Sequence, residues 1–295
     1  MIRSLLFMMS SVAALSALGQ DSVTDGPFIF YKGDFMYVEG VQNGVPEKDS
    51  FRVSKTTKAR TVKVRVPNTK NAFFNVPLKS CLTPEPSVYK PSDKLLVVSD
   101  IEGSFDGLQK LLLTARVIDG QFKWTFGDGH LVVVGDMVDR GREVTASLWL
   151  LYKLEEEAKA AGGHVHVILG NHEIMNLSED FRYAHPKYTQ VAALMGREFY
   201  EFYSRDSELG RWLRTKNIIE KVGDLLFTHA GISPAMNRYA LPIDTINTRA
   251  RPYYDQDGLE DVLRAGNVMN IFDGNTSPFW FRGYFVHPTV SEEQV

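Results

Sequence analysis

The 295-residue chain is long enough for one large domain with a small one, or for two modest domains. Its hydrophobic fraction of 44% and charged fraction of 23% are ordinary for a soluble protein, and its formal net charge of -3 argues against a nucleic-acid partner or a membrane-surface partner. Cys81 is the single cysteine, so the chain forms no internal disulfide and its fold depends on its own core.

The first residues of the chain differ from the rest. A basic residue, Arg3, precedes an apolar run at residues 5–18, and small residues end this segment at Gly19. The pattern is typical of a secretory signal peptide, and its apolar run is too short for a permanent membrane anchor. We therefore expect residues 1–19 to be removed and the mature protein to be periplasmic or secreted, without a membrane anchor.

Residues 20–91 are predicted to form a small β-rich unit followed by a linker. Short apolar runs at residues 28–31 and 35–38 flank turn residues, and residues 61–66 alternate with period two, which is typical of antiparallel strands. Several prolines then stiffen the connection. We place a domain boundary after this linker, so that a second domain comprises residues 92–295.

In the second domain, strands are predicted to alternate with helices. Apolar runs that are typical of buried strands occur at residues 95–98, 131–134, 165–169 and 225–227, and a more helical stretch occupies residues 191–212. Alternation of this kind predicts a layered α/β (α+β) domain.

One predicted helix follows the second of these strands. Apolar residues recur at helical spacing from Val144 to Leu154, and the helix is expected to end at Gly162. We expect the acidic residues near its end to face solvent. These are Glu155, Glu156 and Glu157.

Polar side chains and glycines follow each of the four predicted strands. In open α/β sheets, ligand groups gather beyond the carboxyl ends of the strands. A single such turn has a simpler explanation, in which Asp136 and Asp139 only cap the next helix. Because polar side chains follow all four strands, we favour a single site that these side chains form together. The residues concerned are Asp100 and Glu102, Asp136 and Asp139, Asn171 and His172, and His229.

This set of side chains is suited to divalent metal ions. Carboxylate, amide and imidazole ligands without thiolates suit manganese, iron or zinc. Two-metal hydrolytic sites hold their ions about 3.5 to 4 Å apart, and Asp136, from the middle motif, is the natural shared ligand. We expect Asp100 and Glu102 to complete the shell of one ion, and Asn171 and His229 that of the other.

Four motifs occur in order along the chain: Asp100-x-Glu102-Gly103, Gly135-Asp136-x-x-Asp139-Arg140-Gly141, Gly170-Asn171-His172-Glu173 and His229-Ala230-Gly231. As an ordered set they resemble the calcineurin-like metallophosphoesterases, and the second and third point to the phosphoprotein phosphatase group. Residues 180–183, 185–188 and 280–284 are similar to its bacterial Shewanella-like branch.

The resemblance implies a calcineurin-like four-layer α-β-β-α sandwich, preceded here by the small antiparallel β unit. It also implies two divalent metal ions as cofactors, with manganese the expected ion and iron or zinc as alternatives. A hydroxide that bridges the two metals would attack phosphorus directly, so no covalent phosphoenzyme is needed.

The resemblance further implies roles for individual residues. His172 is expected to protonate the leaving oxygen as a general acid, and Asp139 to orient the His172 imidazole. Arg140 is expected to bind phosphate oxygens with both arms of its guanidinium. Arg282 and Arg182 are second and third candidates for binding the substrate phosphate.

The chain departs from the family pattern at Glu102, where the family usually carries histidine. A carboxylate can still bind metal, and the added negative charge favours manganese or iron over zinc. The alternative is that Glu102 only forms hydrogen bonds within its turn.

A second departure concerns a further metal-binding histidine, which the family carries in a glycine turn after another strand. No such turn follows Arg282, and His287, which precedes Pro288, is not in that context. We therefore expect the sequence to be a fragment that lacks a final helix, at least one strand and the last ligand of the second metal.

The expected function is hydrolysis of phosphomonoesters by an exported phosphatase. Its substrate would be a protein phosphorylated on serine, threonine or tyrosine, or a small phosphate ester. Two alternatives stay open. One is hydrolysis of a nucleotide or a dinucleoside polyphosphate, and the other is a decayed phosphatase that acts as a binding module. The presence of His172, Asp139 and Arg140 favours catalysis.

Overall fold

The computed structural model describes residues 23–53, 60–69 and 71–285. The predicted signal peptide at residues 1–19 and the side chain of His287 lie outside the described residues. Within the described part of the chain, no helix is long and apolar enough to cross a membrane.

Two small antiparallel β structures come first along the described chain. Strands β1 (Asp25–Lys32), β2 (Phe35–Gln42) and β3 (Val45–Arg52) form a three-stranded meander in which neighbours along the chain pair with each other. Strand β4 (Thr61–Arg65) forms a hairpin with β5 (Phe73–Pro77). The prediction of a small antiparallel β unit is confirmed.

A parallel sheet carries most of the predicted site. Strands β7 (Leu95–Val98), β8 (His130–Val134) and β9 (His164–Ile168) pair in the order β7-β8-β9. Helix α1 (Phe105–Thr114) lies on the connection between β7 and β8, and helix α2 (Val144–Ala160) lies between β8 and β9. Because the strands are parallel, the chain leaves all three at the same edge of the sheet.

A second sheet adjoins this one. Strand β10 (Ile219–Val222) pairs antiparallel with β11 (Leu225–Thr228) and parallel with β6 (Val88–Tyr89). A parallel bridge between Ile168 and Asn217 connects the end of β9 to the segment before β10. The residue that follows β11 is thereby brought to the edge where the parallel strands end.

Strands β3, β5, β6 and β10 are not among the predicted strands. β3 is exposed at almost every position and contains Pro46, so it lacks the apolar alternation that identifies a half-buried strand. β6 has only two residues and lies inside the predicted linker, where it pairs with β10. The domain boundary after residue 91 stays a prediction.

The later helices are short. The predicted helical stretch at residues 191–212 is helical only in part, because α4 ends before Gly196, which has a φ of 68°, and extended residues separate the next turns. The helices are α3 (Asn171–Leu177), α4 (Pro186–Leu194), α5 (Glu208–Leu213), α6 (Pro234–Arg238), α7 (Ile243–Ala250), α8 (Glu260–Ala265) and α9 (Met269–Phe272), with 3-10 turns at Phe199–Tyr203 and Arg251–Tyr253.

Helix α2 is enclosed on almost every side. It packs against β1, β4, β5 and β9, and Trp149 and Tyr152 are fully buried. Glu155 is enclosed too, with only 1% of its surface exposed, and the prediction that it faces solvent is wrong. The side chain of its neighbour Glu156 is 57% exposed, as predicted.

The buried Glu155 carboxylate is compensated by cations from two other elements. Lys216 Nζ lies 2.5 Å from Glu155 Oε1, Lys79 pairs with Oε2, and the Trp212 indole donates a hydrogen bond of 2.9 Å to Oε2. Burial alone would raise the pKa of Glu155, but the charges of Lys216 and Lys79 outweigh it and lower this pKa to about 2. The ion pairs of Glu155 with Lys216 and Lys79 therefore stabilise the fold fully at pH values above the ordinary glutamate pKa. This stabilisation is lost as the pH falls towards 2.

We expect Glu155→Gln to lower the free energy of unfolding by about 3 to 5 kcal/mol, because two buried lysines would lose their closest counter-charge. Glu156→Gln is the matched control. We expect it to lower the free energy of unfolding by less than about 1 kcal/mol, because the Glu156 side chain, which pairs with Lys79, is 57% exposed. Chemical denaturation at neutral pH measures both values. Equal stability of the two variants would contradict the assigned role of Glu155.

Candidate active site

The loops after β7 and β8 are joined by backbone hydrogen bonds. The Asp100 N–H donates to the Gly135 carbonyl at 3.2 Å, and the Glu102 N–H donates to the Asp136 carbonyl at 2.9 Å. The Gly141 N–H in turn donates to the Glu102 carbonyl at 2.9 Å. The first two sequence motifs therefore form one rigid unit at the edge of the parallel sheet.

The same loops concentrate unfavourable backbone conformations. Left-handed φ angles occur at Asp100 (52°), Glu102 (46°), Asp136 (53°), Asp139 (70°) and Arg140 (53°), all of which are predicted site residues. Each costs of order 1 to 3 kcal/mol, and such residues persist only where the surrounding structure fixes them. Here the strain aims several charged side chains into a small volume.

Two groups of potential metal ligands meet at Asp136. One group comprises Asp100, Asp136 and His229, and the other comprises Glu102, Asp136 and His172; within each group the ligand atoms lie within 4.8 Å of one another. Asp136 is the member common to both, which is the position that a bridging ligand occupies. Its pKa is raised by burial but lowered further by His229 and His172, and the net shift is downward, so the side chain is a carboxylate.

The donor set fits divalent cations. His229 Nδ1 donates to the Val134 carbonyl at 2.8 Å, so Nε2 is left facing Asp136 Oδ2 at 3.2 Å. A backbone partner on the far ring nitrogen is the usual arrangement for metal-binding histidines. Buried Asn171 adds an amide oxygen, which accepts a bond of 3.4 Å from Arg282. Oxygen and imidazole donors of this kind suit manganese, iron or zinc.

Glu102 contacts the neighbouring loop rather than only its own turn. Its carboxylate forms an ion pair with Arg140, and it also belongs to the ligand group around His172. Its role as a metal ligand stays a prediction.

The imidazole of His172 is held by contacts at both ring nitrogens. His172 Nδ1 lies 2.7 Å from Asp139 Oδ2, while Asn176 donates to Asp139 Oδ1 at 2.9 Å. Nε2 points towards Arg140, whose Nη2 is 3.2 Å away. Burial lowers the pKa of His172, but the hydrogen bond that His172 donates to Asp139 and the charges of Asp136 and Asp139 outweigh it and raise this pKa above its ordinary value. In this arrangement Nε2 accepts a hydrogen bond from the Arg140 guanidinium, and a proton on Nε2 would require Arg140 to move away.

Residues 93–291 match the sequence model of the calcineurin-like phosphoesterase family. The chain belongs to this family. The predicted fold is also confirmed by a solved structure, the cold-active protein-tyrosine phosphatase of a psychrophilic Shewanella species. That structure is 33% identical to this chain with a TM-score of 0.80, over 92% of this chain and 80% of that one.

Curated relatives include Shewanella-like protein phosphatases. Shewanella-like protein phosphatase 2 of Arabidopsis thaliana is 38% identical over 34% of this chain and 25% of its own length. Shewanella-like protein phosphatase 1 of Plasmodium berghei is 30% identical over 55% of this chain and 45% of its own length. The chain thus spans less than half of either relative. A symmetrical bis(5'-nucleosyl)-tetraphosphatase of Glaesserella parasuis is 33% identical over 47% of this chain and 44% of its own length.

The structure of this phosphoesterase gives Glu173 a role that the sequence motif alone does not. Its carboxylate accepts four backbone N–H bonds of 2.7 to 3.1 Å, from residues 136, 137, 138 and 170. Burial and the Asp136 charge raise the pKa of Glu173 to about 7, and the N–H bonds oppose this rise. The sequence motif contains Glu173, but nothing in the sequence indicated that its carboxylate is buried or which backbone groups it binds.

The three predicted phosphate-binding arginines differ in position. Arg140 and Arg282 reach His172 and Asn171 respectively, so both border the ligand groups of the phosphoesterase site. The guanidinium of Arg182 instead makes a two-pronged pair with Asp180, at 2.5 to 3.0 Å, and is largely exposed. Its role in phosphate binding stays a prediction.

Gly170 allows the third strand end to approach Asp136. A Cβ atom at residue 170 would lie 2.2 Å from Asp136 Oδ1, closer than real Cβ atoms come to any neighbour. In the same way, a Cβ atom at Gly135 would lie 2.6 Å from the Gly170 Cα atom. Glycine at these two positions lets the shared carboxylate sit directly against the Asn171 motif.

We expect Gly170→Ala to displace the Asp136 carboxylate and weaken manganese binding by about 10- to 100-fold. Isothermal titration calorimetry with Mn²⁺ measures this loss. Gly120→Ala is the matched control, since a Cβ atom there meets nothing within 4 Å. Unchanged manganese affinity in Gly170→Ala would show that Asp136 does not bind the metal.

Proposed function

We propose that this phosphoesterase is a metal-dependent phosphatase that hydrolyses phosphomonoesters, with phosphorylated serine, threonine or tyrosine in proteins among its substrates. The observation that carries the proposal is the alignment of Asp139, His172 and Arg140 beside two ligand groups that share Asp136. Similarity to Shewanella-like protein phosphatases and to a protein-tyrosine phosphatase supports the protein substrate.

Two divalent ions, with manganese the favoured metal, fit the residues around Asp136. Asp100, Glu102 and Asp136 would contribute carboxylate oxygens, while Asn171 and His229 would contribute an amide oxygen and an imidazole nitrogen. Bound ions of this type supply Lewis-acid polarisation of the phosphoryl group and lower the pKa of water. The carboxylate at residue 102 supports manganese or iron over zinc.

The protein side chains supply binding and proton transfer. Arg140 would bind the phosphate oxygens with its fork of N–H donors, and Arg282, whose guanidinium contacts Asn171, would be a second phosphate-binding residue. His172 Nε2 would deliver its proton to the leaving oxygen, and Asp139 fixes the ring for that transfer. Direct attack by water would need no nucleophilic side chain.

The similarity to symmetrical bis(5'-nucleosyl)-tetraphosphatases supports a second candidate substrate, a dinucleoside polyphosphate. The same metals and the same general acid would serve both reactions. We also propose that the protein is exported, on the basis of the signal-peptide pattern in its first 19 residues.

The proposal is tested by manganese-dependent hydrolysis of a phosphoserine peptide, p-nitrophenyl phosphate and diadenosine tetraphosphate by the full chain. We expect His172→Ala to lower kcat for the phosphoserine peptide by about 100- to 10,000-fold, because serine is a poor leaving group and needs the proton. Manganese content, measured by mass spectrometry, should not change. A manganese-loaded protein that hydrolyses none of the three compounds would refute the phosphatase, and exclusive hydrolysis of the tetraphosphate would favour the second candidate.

The pH dependence follows from the raised pKa of His172. A general acid works only when protonated, so kcat for the phosphoserine peptide is expected to fall as the pH rises through this pKa. Asp139→Asn removes the charge that raises the pKa, so the alkaline limb of the pH profile should shift to lower pH. An alkaline limb that stays in place would exclude His172 as the acid.

A further inference from the structure

One aromatic side chain borders the proposed active site without a role in metal binding or proton transfer. Tyr183 lies in the loop between α3 and α4, and its side chain is 45% exposed. The centre of its ring is 5.1 Å from the centre of the His172 ring, with 50° between the planes, and 5.8 Å from the guanidinium carbon of Arg140. The exposed face of the Tyr183 ring therefore lies beside His172 and Arg140, the two residues proposed to act on the phosphate.

The loop that carries Tyr183 is held at two points, by a backbone hydrogen bond at Tyr183 and by ring packing at Phe181. The Arg140 N–H donates to the Tyr183 carbonyl at 3.0 Å, which ties this loop to the predicted phosphate-binding residue. Two residues earlier, Phe181 packs on Phe199 with ring centres 4.6 Å apart and on Tyr203 at 6.1 Å. The Tyr183 backbone therefore has a defined position relative to Arg140.

The Tyr183 ring lies on the side of the site where the leaving group of the substrate would depart. His172 Nε2 faces the site and would protonate the oxygen of the departing group, so a ring next to His172 borders that departing group rather than the metal side of the phosphate. His172 and Arg140 occupy part of the ring surface, and the remainder is exposed. Exposed aromatic surface of this kind stacks favourably with another ring.

We propose that Tyr183 forms a subsite for the aromatic leaving group of aryl phosphates, the class that includes phosphotyrosine. This inference rests on the proposed phosphatase function and names the substrate class that the site favours. Tyr183 acts by binding the ring of the leaving group, and alkyl phosphates, such as phosphoserine or glycerol phosphate, make no equivalent contact.

A purely structural role predicts a different result. If Tyr183 only held the His172 ring in place, its loss would impair proton transfer. Alkyl phosphates, whose leaving oxygens are more basic, depend most on that proton and would suffer most. A stacking role gives the reverse order, in which aryl phosphates lose more than alkyl phosphates.

The experiment compares kcat and KM for phenyl phosphate and glycerol 2-phosphate in the full, manganese-loaded chain. For Tyr183→Ala we expect kcat/KM for phenyl phosphate to fall by about two- to twelvefold relative to glycerol 2-phosphate, mainly through KM, which corresponds to the usual strength of one aromatic pair. Tyr183→Phe keeps the ring and should restore the ratio. Inhibition by phenylphosphonate, which undergoes no proton transfer, should weaken in Tyr183→Ala more than inhibition by methylphosphonate.

Tyr200→Ala is the matched control. Tyr200 is also 45% exposed, and within the described part of the chain it has no ring contact with His172. An equal or larger loss for glycerol 2-phosphate in Tyr183→Ala, or an unchanged ratio, would overturn the subsite while leaving the phosphatase in place. Absence of turnover of both esters by the unaltered protein would overturn the phosphatase and the subsite together.

Discussion

The site depends on one buried carboxylate, that of Glu173. It accepts backbone N–H bonds from the loop after β8 and from the loop after β9, so it joins two strand ends that carry the charged residues. Each buried N–H without a partner would cost roughly 1 to 3 kcal/mol. By satisfying four of them, Glu173 stabilises turns that would otherwise be too strained to persist.

That stabilisation explains how several like charges can lie together. Left-handed backbone at Asp100, Glu102 and Asp136 turns their carboxylates towards one point, and glycine at residues 135 and 170 removes the Cβ atoms that would separate the strand ends. Repulsion among these carboxylates is reduced by the guanidinium of Arg140, which pairs with Glu102. Divalent cations would complete this balance of charge.

The proposed roles divide between two parts of the fold. The residues around Asp136, which are the proposed metal ligands, follow the strand ends. The loop between α3 and α4 lies outside the sheet and brings Tyr183 to the rim of the site. Relatives named as protein phosphatases and as tetraphosphatases both share similarity with this chain.

The sequence by itself determined the family, the α/β fold and the clustering of polar residues at strand ends, because these features depend on local periodicity and on motif order. It also placed His172, Asp139 and Arg140 in one motif set. Only the tertiary structure decided that Glu155 is buried, that Glu173 joins two loops and that the Arg182 guanidinium pairs with Asp180. These outcomes depend on partners distant in sequence or on side-chain geometry, and local patterns carry no information about either.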